Sequence, residues 1–422
     1  MASPVLSLKR MKIFFRNIHL YLSLAAGIVI LCSCVTGTIL VFEKEINHKL
    51  HPERYYVTAK GQRLPLQQLV KDALKQVPKA KLASVMVYND AERSVEIGAI
   101  IPEKKKKEDK GKSKKEAPAE KGKNSQNLKD KKPKENARAN TTLFVNPYTG
   151  ELLGQYSKRQ SFLFTVEMLH RFLLAGKDSV GDMAVGISTL LFLFILITGV
   201  ILWWPKTRNI MRQRLKIKFD GSGKRLTHDL HIVTGFYTSL FLIVIVLTGL
   251  VMSFKWANNA LYAITGSKQQ KEEAKAPESK YEAGLQPLTF EQALAGISDK
   301  ITTAEFYNIR APRDSAGTYS INILEQGKTE NASDSYIIDQ YSGKIIVFGL
   351  FADKSLGQRV RSYIKPVHTG SVYGLPTKII SFIICLLACI FPVTGVMMWL
   401  NRIKKKKPAR KRLIRHPHPA TV

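Results

Sequence analysis

Four long runs of residues without a charged side chain constrain this chain more than any other feature. The runs are Leu20–Phe42, Met183–Pro205, Leu230–Phe254 and Ile379–Asn401, and each has 23 to 25 residues. A helix of roughly 20 residues crosses the ~30 Å hydrocarbon core of a bilayer. The runs therefore predict four transmembrane helices, and they exclude an ordinary soluble globule and a mostly disordered basic protein.

Lysine and arginine near the ends of these runs predict how the chain crosses the bilayer. Residues 1–19, 206–229 and 402–422 are strongly basic and carry most of the net charge of +32. Basic flanking segments stay on the cytoplasmic side and are attracted to anionic lipid. Both termini are therefore expected in the cytoplasm, and residues 43–182 and 255–378 face outward. No soluble basic face with readout groups is present, which argues against a nucleic-acid partner.

One stretch of the first outward segment has an unusual composition. Residues 103–140 are rich in lysine and contain few apolar side chains. Such a segment buries too little apolar surface to offset the entropy lost on ordering the chain. We expect a disordered, solvated insertion here, and we assign it no chemistry.

The two halves of the chain repeat each other. His19 aligns with His231 at an offset of 212 residues, and each is followed 17 residues later by the threonine of a Thr-Gly pair. Thr-Gly pairs also occur in the second and fourth runs, where a tryptophan follows each of them. The four pairs are Thr36-Gly37, Thr198-Gly199, Thr248-Gly249 and Thr394-Gly395. This pattern predicts a tandem duplication whose halves have the same topology.

The outward segments share a short α+β pattern. A helical stretch, Pro65–Lys75 or Phe290–Ile297, precedes several predicted strands, and a Tyr-[Ser/Thr]-Gly turn at Tyr148 or Tyr341 joins two of these strands. The predicted fold is therefore that of a mainly α membrane protein. It has four transmembrane helices and two small extracytoplasmic α+β units.

Short motifs near the ends of the runs recur in the same order in both halves. They are Arg16-Asn-Ile-His19, Leu169-His170-Arg171, His228-Asp-Leu-His231, Pro366-Val-His368-Thr-Gly370 and the two Thr-Gly…Trp span ends. Together they resemble the PepSY-associated transmembrane family of bacterial inner-membrane proteins connected with iron uptake, and the tyrosine turns look like PepSY units. The resemblance covers nearly the whole chain apart from residues 103–140 and the tail. It implies haem binding and, in some members, reduction of ferric siderophores at the outer face.

Four histidines occupy matching places in the two halves and are candidate haem ligands. His19 and His231 lie at the inner ends of the first and third spans, whereas His170 and His368 precede the second and fourth. Haem iron takes axial ligands on opposite faces of the porphyrin, and imidazole is a common one. We therefore expect two b-type haems on opposite sides of the bilayer. His19 and His231 would hold the inner haem, and His170 and His368 the outer one, with Ser161–Leu174 as a separate helix on the outer surface.

Neighbouring residues leave alternatives open. His228 lies one turn before His231 and could replace it as a ligand, and either Arg16 or His228 could pair with a haem propionate. His231 is preferred, because Arg16 is the residue that corresponds to His228 in the first half. A non-haem metal is a weaker hypothesis, since no carboxylate joins the histidines at ligand spacing. Small residues could clear a helix face for a flat macrocycle or serve helix packing; they are Ser23, Gly27, Gly235 and Ser239.

The absence of nucleotide motifs in the sequence limits the predicted activity. There is no glycine-rich dinucleotide or phosphate loop, and residues 206–229 are too few for a flavin or nicotinamide domain. A membrane quinol or a separate reductase would therefore donate the electrons. The sequence predicts a dihaem electron-transfer protein that reduces a periplasmic ferric chelate such as a siderophore, with no catalytic residue identified. The alternative is a haemless regulator or binding module for a periplasmic peptidase or ligand.

Overall fold

The computed structural model of the protein describes residues 4–102, 139–269, 277–281 and 284–404. These residues form two compact units. The first unit is helical and lies within residues 4–44, 162–269 and 355–404; the second contains a β-sheet and lies within residues 45–161 and 277–354. The predicted insertion falls outside the described residues, apart from Ala139 and Asn140 at its end.

The described residues form fourteen α-helices and eight strands. In chain order the helices are α1 (Pro4–Leu40), α2 (Glu43–Leu50), α3 (Pro52–Tyr55), α4 (Leu66–Gln76), α5 (Phe162–Phe172), α6 (Val180–Trp203), α7 (Arg208–Arg214), α8 (Gly223–Ser253), α9 (Lys255–Ile264), α10 (Phe290–Ala295), α11 (Ser298–Thr302), α12 (Leu356–Thr369), α13 (Leu375–Ala388) and α14 (Ile390–Lys404). The strands are β1 (Lys81–Tyr88), β2 (Val95–Ile100), β3 (Thr141–Val145), β4 (Leu152–Ser157), β5 (Ala304–Arg310), β6 (Thr318–Glu325), β7 (Asp334–Asp339) and β8 (Ile345–Gly349).

Four helical stretches of the first unit are long and apolar enough to cross a membrane. They are Arg10–Leu40, Val180–Trp203, Gly223–Ser253 and Leu375–Lys404. The shortest has 24 residues, which corresponds to about 36 Å at 1.5 Å per residue. Each stretch overlaps one of the predicted spans, and helical structure continues past the uncharged runs because the flanking polar residues do not break a helix.

The fourth stretch consists of two helices. Helix α13 ends at Ala388 and α14 begins at Ile390, with Cys389 between them. Pro392 follows at the start of α14. Because proline has no backbone N–H and its ring opposes the carbonyl four residues earlier, it interrupts the helical hydrogen bonds at this point.

The helical unit is a bundle in which α6 packs against both α1 and α8. Helix α8 also contacts α12, α13 and α14, and α1 contacts α5, α13 and α14. Helix α5 is separate from α6, as the sequence predicts for this segment. The short helices α5 and α12 thus lie against the long helices α1 and α8, and this places their histidines beside the bundle.

The second unit is one antiparallel sheet of eight strands in the order β4-β3-β2-β1-β5-β6-β7-β8. Strands β1–β4 and β5–β8 each form a four-stranded meander, and β1 pairs with β5 at the centre, with Val85 opposite Ile309. If the two meanders formed separate sheets, β1 and β5 would each be an exposed edge strand. Their pairing removes both of these edges. The two predicted α+β units thus share one sheet. Because of this sheet, the protein contains less helix than the predicted mainly α fold would have.

The two tyrosine turns of this sheet have the same local structure. Tyr148 N–H donates to Asn146 Oδ1 at 2.9 Å, and Tyr341 N–H donates to Asp339 Oδ1 at 2.9 Å. The glycine two residues after each tyrosine has a positive φ, 74° in one turn and 69° in the other. Glycine adopts this left-handed conformation without the steric cost of a Cβ atom, which explains the shared Tyr-[Ser/Thr]-Gly sequence.

Candidate functional site

Each of the four long apolar stretches contributes one Thr-Gly pair, and each pair contacts one histidine of another helix. All four contacts join a histidine Nδ1 to a threonine Oγ1. They are His19 to Thr198 (3.1 Å), His170 to Thr36 (3.0 Å), His231 to Thr394 (2.8 Å) and His368 to Thr248 (3.1 Å). The four predicted histidines therefore share the same kind of threonine contact.

The hydrogen-bond partners determine which imidazole nitrogen carries the proton. Each of these threonine hydroxyls donates to the carbonyl one turn earlier on its own helix, as Thr198 does to Phe194 O at 2.8 Å. The threonine oxygen is then left to accept a hydrogen bond from the histidine Nδ1–H. Three of the imidazoles also donate to a backbone carbonyl: His19 to Ile195 (3.1 Å), His170 to Ser33 (3.0 Å) and His368 to Ile245 (3.0 Å). A proton on Nδ1 leaves the Nε2 lone pair free to bind a metal.

The glycine after each threonine lets the imidazole come close to the helix. An ideal Cβ at Gly37, Gly199 or Gly249 would lie 3.3 Å from the Cε1 atom of the contacting histidine. At Gly395 the corresponding distance to His231 Cε1 is 3.6 Å. These three 3.3 Å contacts are tighter than ordinary van der Waals distances, so any larger residue would press on the ring.

The four histidines form two facing pairs. The ring centroids of His19 and His231 are 6.3 Å apart with an interplanar angle of 80°, and those of His170 and His368 are 6.3 Å apart at 60°. On α1, His19 and the threonine that contacts His170 are 17 residues apart, which is about 26 Å along a helix. The pairs therefore lie near opposite ends of the bundle.

The donor set of each pair suits a metal that needs only two protein ligands. Two metal–nitrogen bonds of about 2 Å each, plus about 1 Å from each nitrogen to its ring centroid, require centroids about 6 Å apart. Within the described residues, no group of three or more His, Cys, Asp or Glu side chains could hold an ion. Haem iron fits such a pair, because the porphyrin supplies the other four ligands.

The surroundings of the His170–His368 pair keep both rings uncharged. The pKa of His170 is lowered to about 4, mainly by burial and also by the neighbouring His368, while the bond to Ser33 O acts in the opposite direction. Burial also lowers the pKa of His368, against an opposing effect of its bond to Ile245 O. Since only neutral imidazole binds a metal, both residues are in the binding form at neutral pH.

The other two predicted residues lie apart from the facing pairs. His228 Nδ1 lies 3.3 Å from Asp229 Oδ1, and the His228 side chain is half exposed. Asp229 is fully buried and also accepts from Arg225 Nε at 2.8 Å. His231, and not His228, thus faces His19. Arg16 is exposed three residues before His19.

Comparison with known families identifies the family of the chain. The model of the family described as PepSY-associated TM region matches residues 16–402. The chain belongs to this family. It is therefore a PepSY-associated membrane protein, and the match includes all four paired histidines. Comparison with curated protein sequences gave no match.

The threonines are the part of this PepSY-associated site that the sequence analysis did not assign. The Thr-Gly repeats were evident, but only as markers of duplication. The useful signal was that a polar Thr recurs in all four apolar runs, always before a glycine. A buried hydroxyl in such a run needs a partner, and there are as many threonines in these pairs as paired histidines.

A glycine substitution tests the close approach. In the Gly249→Ala variant the new Cβ would lie 3.3 Å from His368 Cε1 and 3.6 Å from Thr189 Cγ2, and we expect a loss of about 1–3 kcal/mol in stability from overpacking. Gly27→Ala is the control, because its Cβ would first meet Pro392 Cβ at 4.0 Å. Thermal unfolding in detergent measures both, and equal stability of the two variants would contradict the close-contact argument.

Acid should weaken the fold through the His170–His368 pair. Between pH 6.5 and about 4, the unfolded chain protonates His170 while the folded protein does not. The unfolded state then binds more protons, so stability falls as the pH is lowered through this range. We expect a smaller drop in melting temperature from pH 7 to pH 5 in a His170→Gln/His368→Gln variant than in the unmodified protein. The exposed His51→Gln serves as control, and an equal drop in all three proteins would refute the assignment.

Proposed function

We propose that this protein is a dihaem b-type electron-transfer protein of the bacterial inner membrane that acts as a ferric-chelate (siderophore-iron) reductase. A membrane quinol or a separate reductase donates electrons on the cytoplasmic side, and a ferric chelate accepts them on the periplasmic side. The observation that supports the proposal best is the pair of facing imidazoles near each end of the bundle, with ring centroids 6.3 Å apart in both pairs.

The charges of the chain support the direction of electron flow. Lysine and arginine near the span ends support a cytoplasmic location for residues 1–19, 206–229 and 402–422. His19 is the last residue of the first of these basic segments, and His231 follows the second. The His19–His231 pair is then the inner site, and the His170–His368 pair is the outer site.

The residues of the chain have two tasks in this mechanism. Haem, when bound, supplies an iron that takes up and releases one electron at a time. The paired histidines would hold that iron through Nε2, and the threonines bind their Nδ1–H groups, so that the ring orientation and tautomer do not change. Buried apolar residues of α6 and α8, such as Leu196 and Leu242, keep water from the middle of the bundle.

The proposal also explains how iron would be released. One electron converts the chelated Fe(III) to Fe(II), and most siderophores hold Fe(II) far less tightly. No residue of the chain needs to form or break a covalent bond in this step.

Variants of the two histidine pairs test whether haem is bound where proposed. The purified protein should contain two b-type haems per chain in a pyridine haemochrome assay and show low-spin spectra. The His19→Ala/His231→Ala variant and the His170→Ala/His368→Ala variant should each retain one haem, because each removes both ligands of one site. His48→Ala and His51→Ala, outside the bundle unit, should retain both haems. A colourless protein from haem-sufficient cells would instead support the haemless regulator.

Reoxidation by a ferric chelate tests the activity. We expect a ferric siderophore to reoxidise the dithionite-reduced protein, with Fe(II) trapped by a coloured chelator. Loss of the outer pair should slow this reoxidation at least about tenfold, because the electron then has no carrier near the periplasmic face. The apo-siderophore is the control. If the outer-pair variant reduces the chelate as fast as the unmodified protein, the proposed route is wrong.

A further inference from the structure

The inner and outer sites differ in the number of hydrogen bonds that support their histidines. His19, His170 and His368 each donate from Nδ1 to a threonine oxygen and to the carbonyl three residues before that threonine. Among the residues that the structure describes, His231 has a single acceptor, Thr394 Oγ1 at 2.8 Å. The corresponding carbonyl would be that of Phe391. At the outer site, His170 and His368 together thus donate to four oxygen atoms. At the inner site, His19 and His231 together donate to three.

A proline explains why His231 is the exception. Phe391 is followed by Pro392, at the start of α14 just after the break between α13 and α14. None of the other three Thr-Gly pairs has a proline two residues before its threonine. The His231 ring also lies farther from the helix that it contacts, α14, than the other three rings lie from theirs, since an ideal Cβ at Gly395 would be 3.6 Å from His231 Cε1. The ring centroids of His231 and Phe391 are 5.7 Å apart. The start of α14 near Pro392 therefore changes the position of the His231 ring relative to that helix.

The number of acceptors affects the electron density of a ligand. A hydrogen bond from Nδ1–H makes the imidazole a stronger donor through Nε2, and second-sphere hydrogen bonds of this kind tune metal sites. A stronger donor stabilises ferric iron more than ferrous iron. More acceptors therefore lower the reduction potential of the bound iron.

We propose that the four threonines are positioning residues that tune the two sites, and that the outer site has the lower reduction potential of the two. This inference rests on the proposed function. Ferric chelates are hard to reduce, so the more strongly reducing site is the one next to the substrate. The transfer from the inner site is then energetically uphill, but the electron moves toward the positive side of the membrane, and the membrane potential favours this movement.

A redox titration of the full chain in detergent tests the order. The optical spectrum is followed against potential, and the two single-haem histidine variants assign each midpoint to a site. We expect the inner midpoint to be the higher. Equal midpoints, or a higher outer midpoint, would overturn the inference while leaving the dihaem function intact. A colourless protein would overturn both together.

Threonine variants test the cause of the difference. Thr394→Val removes the single acceptor of His231, and we expect it to raise the inner midpoint by about 59 mV, equivalent to a tenfold change in the ratio of reduced to oxidised haem. Thr248→Val leaves His368 its Ile245 carbonyl, so the outer midpoint should rise by less. The Ser variants of both residues retain the hydroxyl and should restore the unmodified midpoints.

The control lies on α1 close to one of these threonines. Thr38 is buried and its hydroxyl donates to Cys34 O at 2.8 Å, but within the described part of the chain no hydrogen bond joins it to a histidine. Thr38→Val should therefore leave both midpoints unchanged. If Thr394→Val also leaves the inner midpoint unchanged in a protein with two haems, the threonines do not tune the sites. The inference is then wrong even if the order of the midpoints is as expected.

Discussion

The hydrogen bond from a histidine Nδ1–H to a threonine hydroxyl is the interaction on which the rest of the helical unit depends. It occurs four times, with Nδ1–Oγ1 distances of 2.8–3.1 Å, and each time it joins two different helices. In an apolar bundle an unpaired hydroxyl or imidazole N–H is costly. These bonds therefore hold the helices in one relative position, and they leave each Nε2 without the proton that Nδ1 carries. The adjacent glycines make the contact possible, because a side chain there would keep the ring away.

The two histidine pairs are alike in geometry but are built differently. His19 and His231 belong to long helices, whereas His170 and His368 belong to the separate short helices α5 and α12. Sharp turns follow both short helices: Leu173 and Leu174 have positive φ after α5, and Gly370 has a φ of 74° after α12. The chain thus reverses direction twice to bring these imidazoles against α1 and α8. Strained backbone of this kind persists where the surrounding packing demands it.

Much of this arrangement can be predicted from local sequence. The four apolar runs are long enough to require helices, and the repeat places His19 opposite His231 in the topology. The facing pairs could be predicted because the sequence repeat puts matching histidines at matching positions relative to the apolar runs. The tautomer of each imidazole could not, since it depends on which carbonyl and hydroxyl a distant helix presents. It could also not be predicted that His231 lacks a carbonyl acceptor, because this depends on how α14 begins near Pro392.

The sequence by itself determined the four membrane-spanning helices, the basic ends and the candidate histidines, because hydrophobic run length and charge act locally along the chain. Tertiary structure alone decided that the two outward segments share one eight-stranded sheet through β1 and β5. It also decided that each histidine pairs with a Thr-Gly of another helix. Both outcomes are contacts between residues far apart in the chain, such as His19 with Thr198. No local pattern specifies such contacts, because they depend on how the helices and strands pack together.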